Sequence, residues 1–205
     1  MALKGLTQFA EDLKYARNIF HEDVIDAMFR QPFSSETKPF REHLIKTNPV
    51  VSLSAVDYDL GVNGSAYFDT DTADYHVSTQ QNGIGNRGRM YRNDGVDIGQ
   101  HEAPQEGYFV GHIADGEWLQ YTVNVAAAGN YTLRFRVAAE AAGGRISLQS
   151  NGRALVSGLS VPATGGWLKF KDVDVKNVPL KKGIQQLKVY MNTGGFNFDS
   201  IQFIK

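Results

Sequence analysis

From about residue 49 to the C-terminus the chain is written in short apolar or alternating runs broken by Gly, Asn and Asp: VVSLSAVDY, GYFVGHI, EWLQYTVNV, GNYTLRFRVA, RISLQSNG, LKFKDVDV, IQQLKVYMN and FDSIQFIK. Eight or more strands at this spacing predict a mainly β protein, an antiparallel β-sandwich with jelly-roll wiring. Tyr131, Leu133, Phe135 and Val137 alternate with Thr132, Arg134 and Arg136, so one face of that strand is core and the other is wet. In the closing stretch NTGGFNFDSIQFIK, simple alternation puts Asn197, Asp199, Ile201 and Phe203 on one side, an expensive place for an amide and a carboxylate unless each has a partner.

The first 48 residues follow a different pattern. Residues 1–60 hold one glycine, Gly5, and residues 61–205 hold the other twenty. Leu6, Phe9, Leu13, Ala16, Phe20, Val24, Ala27 and Met28 recur mostly at spacings of three and four, which predicts one amphipathic helix ended by Pro32. SSETKPFREHLIK then offers Ser34 or Ser35 as N-cap of a short second helix with Phe40, Leu44 and Ile45 on one side. The expected organisation is a two-helix leader over 1–48 and a sandwich over 49–205. The polar, glycine-rich stretch Gly61–Val96 is expected to be a long surface loop.

Charge and composition remove several functional classes. With 21 basic and 22 acidic residues in a mixed order, no electrostatic case for nucleic acid or an anionic membrane arises. The absence of cysteine excludes thiolate metal sites, cysteine nucleophiles and disulfides. No apolar run has the length of a membrane span, and MALKGLTQFAEDLKY carries acids too early for a signal peptide, so an exported parent is expected to keep its export signal elsewhere.

Catalysis has little support in the residues. The serines lack a GxSxG elbow, and the glycines of NGIGNRGRMY open no helix after a strand. His101 and His112 lack helical ligand spacing and read as loop or surface histidines rather than a metal pair. Asp115 and Glu117 flank Gly116 at a corner where a turn role is expected over a glycosidase pair. Asp69, Asp71 and Asp74 are spaced like a calcium loop but lack its glycine and distal glutamate. Aromatic residues beside small polar groups stand out instead: Trp167 after TGG, Tyr91 after RGRM, Tyr75, Tyr108 and Phe196. Such pairs suit a pyranose ring, which offers a C–H face and a rim of hydroxyls. Trp167 either presents its ring to such a ligand or closes the end of the sandwich.

The segments DYDLGVNGSAYFDTD, YRNDGVDI, VGHIADGEWLQYTVNVAAAGNYTLRFRVA, VPATGGWLKF and GGFNFDSIQF, in order over residues 50–205, resemble family 6 carbohydrate-binding modules, non-catalytic β-sandwiches appended to secreted polysaccharide hydrolases. The resemblance implies a glycan cleft formed by loops at one end of the sandwich. Trp167 matches its tryptophan plane and Asn197 its last-strand asparagine; Tyr91 is the expected second plane, with Tyr108 behind it. His112 stands where relatives often carry an aromatic residue, able to stack weakly or donate a hydrogen bond. Gly99 stands where the family tends to carry an acid, so Gln100 or Glu102 is expected to read hydroxyls. A structural calcium is also common in the family. Here Ser54 and Val56 replace its glutamates, so calcium either is absent or draws on Asp199, Asp57 and Asp69. Some relatives have a second surface at the tryptophan that matches Trp118, for which burial in the core is the expectation here.

The resulting expectation is a secreted or extracellular bacterial module, not an enzyme, that binds a β-glucan, xylan or agar-type polysaccharide and targets an upstream hydrolase in the same polypeptide. A structural or protein-interaction role through the helical leader is the alternative.

Overall fold

The computed structural model describes residues 2–71, 91–92 and 94–205. Two six-stranded sheets share one core. The first runs in the order β1 (His43–Ile45), β6 (Glu117–Val125), β11 (Gly183–Thr193), β8 (Arg145–Ser150) and β9 (Arg153–Ser160), with β3 (Tyr67–Phe68) also paired to β6. The second runs β10 (Lys171–Leu180), β7 (Gly129–Ala138), β12 (Asn197–Ile204), β5 (Tyr108–Val110) and β4 (Ile98–Gln100), with β2 (Val51–Ser54) also on β12. Among the described residues every pairing between these strands is antiparallel except β1 with β6. The predicted alternation on β7 holds: Tyr131, Leu133, Phe135 and Val137 enter the core, together with Tyr121, Leu187 and Val189 of the other sheet. On the outer face Arg134 forms a two-pronged pair with Asp174 across the β7–β10 ladder, at 2.8 and 3.0 Å.

β12 departs from the alternation expected of it. Phe198 faces Val137 and Ser200 faces Arg136, so two steps along β12 match one along β7. This bulge at Asp199 reverses the parity of the strand. Phe196 and Phe198 are in the core before it, and Ile201 and Phe203 are in the core after it. Asn197 and Asp199 therefore do not share a side with Ile201 and Phe203, and the polar pair faces away from the core.

The N-terminal segment differs from its reading in two places. The single long helix is two, α1 (Ala2–Asp12) and α2 (Glu22–Phe29). Asn18 donates its side-chain amide to the carbonyls of Asp12 and Lys14, both at 2.8 Å, taking up carbonyl groups at the end of α1. The second helix expected over 34–45 is absent. Ser34 Oγ accepts Glu36 N–H at 3.1 Å as a cap would, but Pro39 follows, and the chain goes on to pair with β6. Leu44 is 47% exposed and Ile45 fully buried, the period-two pattern of β1.

Several contacts fix residues 26–45 to the sandwich, N-terminal of the division expected at 48. Arg30 holds Asp26 with both ends of its guanidinium at 2.5 Å and donates to Leu60 O at 3.3 Å. Lys38 and Leu60 exchange backbone hydrogen bonds at 3.0 and 2.7 Å. The guanidinium of Arg92, 1% exposed, lies between the rings of Phe40 at 4.3 Å and Tyr58 at 4.0 Å and pairs with Asp94 at 2.6 Å. By contrast Leu3, Leu6, Phe9 and Leu13 of the α1 region are 60–77% exposed.

Removal of residues 1–19 is therefore expected to leave thermal unfolding within about 0.5 kcal/mol of the intact chain. Removal of residues 1–48 takes away buried Ile45 and the Phe40 lid of Arg92, and should cost about 3 kcal/mol or more. Thermal or denaturant unfolding of the two truncations checks this; equal stability would contradict it.

Candidate functional site

A cavity of about 580 Å³ lies where β4, β5 and β12 meet the loop between β9 and β10. It is lined by Asp97, Ile98, Gly99, Gln100, Phe109, Gly111, His112, Ile113, Trp167, Gly195, Phe196 and Asn197. Four of the six carbohydrate candidates, Trp167, Asn197, His112 and Gln100, thus converge on one concavity. The parity change in β12 delivers Asn197 to it.

Trp167 is 47% exposed, so it presents its ring rather than sealing the core. Gly165 has φ +97°, a left-handed conformation that lets the TGG turn reverse just before the indole. Thr164, 5% exposed, ties this turn to the end of β7: its N–H donates to Ala139 O at 2.9 Å and its Oγ1 accepts Ala139 N–H at 2.8 Å. Asn197 Nδ2 donates to Trp167 O at 2.7 Å, and the indole Nε1–H donates to Glu140 Oε2 at 3.0 Å. His112 sits in the left-handed region at φ +49°, a costly conformation for a non-glycine residue and one found preferentially at binding sites.

The floor of the cavity was not legible in the sequence. Gly99 pairs with Phe109 across the β4–β5 ladder, and a Cβ on Gly99 would lie 2.4 Å from Phe109 Cζ. The phenyl ring lies over the glycine, in the space that a side chain at 99 would take. Behind it, His101, Phe109 and Phe170 form a three-ring cluster with centroids 4.9–5.4 Å apart. A glycine opposite an aromatic residue on paired edge strands is the one signal that points to this arrangement.

Tyr91 and Glu102 are not among the cavity-lining residues. Tyr91 stacks on Tyr108 with centroids 5.1 Å apart, meets Phe40 edge-on at 5.8 Å and donates its hydroxyl to Asp57. Burial pushes its phenol up, and the Asp57 carboxylate pushes it further. Glu102 is exposed. Trp118, expected in the core, is half-buried on the outer face of the first sheet, where Lys188 Nζ sits 3.6 Å from its ring centre. The strand explains this: Leu119 and Tyr121 alternate inward and leave Trp118 outside. Asp74, Tyr75 and His76 lie outside the described residues.

The three candidate calcium ligands belong to three separate clusters. Asp199 accepts from His101 Nε2 at 2.6 Å and Ser200 Oγ at 2.8 Å, and Arg136 Nε stands 3.6 Å away. Asp57 faces Tyr91 and Arg41, whose Nε is 3.4 Å away. A carboxylate already shared by an imidazole and a guanidinium does not fit a hard cation that needs six or more oxygens. Among the described residues no three His, Asp or Glu side chains gather as metal ligands. Asp115 and Glu117 have structural partners: Asp115 Oδ1 accepts Gly194 N–H at 2.8 Å, and Glu117 accepts Ala114 N–H at 2.9 Å and Thr70 N–H at 3.1 Å.

Asp69 is 7% exposed, and burial together with the charges of Glu117 and Asp97 raises its carboxyl to about 7. The folded state therefore holds this proton more tightly than the unfolded chain, whose value is near 3.8. The stabilisation is complete below about pH 4 and is lost as pH rises through about 7. In a calcium-free buffer, Asp69→Asn should flatten this part of the stability profile and be the more stable protein at pH 8. Denaturant midpoints across pH 4–8 measure it, and parallel profiles would contradict the assignment.

Comparison with known proteins places this geometry. Residues 89–205 match the carbohydrate binding module (family 6). The C-terminal module of a marine laminarinase from Zobellia galactanivorans superposes with TM-score 0.54 at 26% identity, covering 76% of this chain and 99% of that one. A module of lichenase 5A from Cellvibrio mixtus, solved with cellotriose, gives 0.52 at 26% identity over 76% and 96%. The clotting factor G alpha subunit of Tachypleus tridentatus is 36% identical over 93 residues, 44% of this chain and 14% of that protein, so the match spans a small part of a longer polypeptide. A matched segment that covers over half of the chain and contains the whole cavity lining decides the assignment: the chain belongs to family 6 of the carbohydrate-binding modules, a family of non-catalytic β-sandwiches.

Proposed function

We propose that this module binds a β-glucan chain in the cavity beneath Trp167 and holds an attached hydrolase on that polysaccharide outside the cell. The observation that carries the reading is the convergence of an exposed indole with Asn197, His112 and Gln100 on a single cavity of about 580 Å³. A sugar ring stacks its C–H face on Trp167, while Asn197 Oδ1, Gln100 and the imidazole of His112 take hydroxyls at the rim. Phe109 extends the apolar floor. Among the glycans expected from the sequence, β-glucan is preferred over xylan and agar-type chains because the two relatives at 26% identity are modules of a laminarinase and a lichenase, the latter solved with cellotriose. Those parent enzymes also support an attached hydrolase. The binding proposed here does not draw on a calcium at Asp199, whose partners are His101, Ser200 and Arg136.

The exposed Leu6, Phe9 and Leu13 near α1 suit contact with the neighbouring domain of the same polypeptide, and they are also the observation that favours the alternative role in protein association. Sedimentation across concentrations separates the two: a monomer agrees with the first, and a dimer lost on removing residues 1–19 favours the second.

Affinity electrophoresis in laminarin and in soluble cellulose derivatives, with and without chelator, tests the main reading. Retardation is expected in both buffers. Trp167→Ala should weaken binding by about 2 kcal/mol or more, roughly thirtyfold. Unretarded wild-type protein, or undiminished retardation of the variant, would contradict the proposal.

A further inference from the structure

We infer that Glu140 is a positioning residue for the ligand-binding face of Trp167, holding the indole in its stacking orientation before a glycan arrives. The inference rests on the reading of the cavity as a glycan site, but the contact behind it is visible without a ligand.

The anchors on this loop divide into two kinds. Thr164 and Asn197 fix its backbone, through Ala139 and through the carbonyl of Trp167 respectively. Both bond to backbone atoms, not to the indole N–H. The anchor on the ring itself is the hydrogen bond from Nε1–H to Glu140 Oε2 at 3.0 Å. The acceptor is a carboxylate from the loop that follows β7, so the bond is charge-assisted and links two loops 27 residues apart in sequence.

A tryptophan that is 47% exposed and follows two glycines would otherwise lose side-chain freedom when a sugar stacks on it. Tethering the N–H edge removes that cost in advance and leaves the aromatic faces free, which is preorganisation in a single contact. It also has a consequence for specificity. With its N–H committed to Glu140, the indole reads the ligand by its C–H face and not by a hydrogen bond to a hydroxyl. Discrimination among hydroxyl patterns then falls to Gln100, His112 and Asn197.

The test is a double-mutant cycle with laminarihexaose and cellohexaose as probes, measured by titration calorimetry. Glu140→Ala should weaken binding about five- to tenfold, and Glu140→Gln, which keeps an acceptor oxygen, should recover most of it. Trp167→Phe keeps an aromatic plane without the N–H. In that background Glu140→Ala should have no further effect, whereas an equal loss in both backgrounds would overturn the inference. A ligand-free readout runs alongside in a Trp118→Phe background, where Trp167 is the sole indole. There Glu140→Ala should lower fluorescence anisotropy and increase acrylamide quenching, and Glu140→Gln should not. If wild-type protein binds neither hexaose but the tether effect on fluorescence is seen, the glycan reading fails and the positioning contact stands. If the hexaoses bind and Glu140→Ala changes neither affinity nor fluorescence, the positioning role fails and the glycan reading stands.

Discussion

The arrangement of the site depends on one extra residue in the last strand. A regular β12 would have carried Asn197 and Asp199 on the same face as Ile201 and Phe203, forcing an amide and a carboxylate into a core with no water to solvate them. The bulge at Asp199 reverses the parity between Phe198 and Ser200, so four apolar side chains of this segment, Phe196, Phe198, Ile201 and Phe203, all enter the core. Asn197 is then free to brace the Trp167 turn from the cavity side, and Asp199 meets His101 and Arg136. A device that alters backbone pairing over a single residue thereby divides one strand into a cleft half and a structural half.

The same economy shapes the cavity. Gly99 leaves room for the ring of Phe109, and Phe109 in turn packs on His101 and Phe170, so this part of the floor is closely packed and apolar. Gln100, His112, Asn197 and the buried Asp97 supply the cavity's polar side chains beside the exposed indole. Apolar and polar groups side by side suit a pyranose, since its faces are C–H and its edge is hydroxyl. Asp97 also acts away from the ligand: its charge, with that of Glu117 and with burial, raises the carboxyl of Asp69.

Much of this was legible in the sequence, and the failures have physical causes. Alternating runs reported the sandwich, because half-buried strands must alternate. Trp167 stood out as an aromatic residue after a glycine pair, whereas Asn197, His112 and Gln100 were named for the cleft only through the family resemblance; the structure sets all four around one cavity. Tyr91 was misplaced because spacing cannot show that its hydroxyl reaches Asp57. The bulge was invisible, since Phe-Asn-Phe-Asp-Ser-Ile carries no glycine to mark it and only the pairing with β7 defines it. The helix expected over 34–45 gave way to β1 because an open edge of β6 offers Ile45 complete burial, which local propensity does not record. Trp118 was read as core from the strand's hydrophobicity, when the alternation around Leu119 and Tyr121 already placed it outside.

If glycan recognition belongs to the cavity beneath Trp167, a titration of the isotope-labelled chain with laminarihexaose, followed through backbone amide shifts, will locate it there. The shifts are expected to concentrate at residues 97–100, 109–113, 164–167 and 195–197, the segments that surround the cavity. Shifts confined to the outer face around Trp118, Lys188 and Tyr190, with none at those segments, would contradict it.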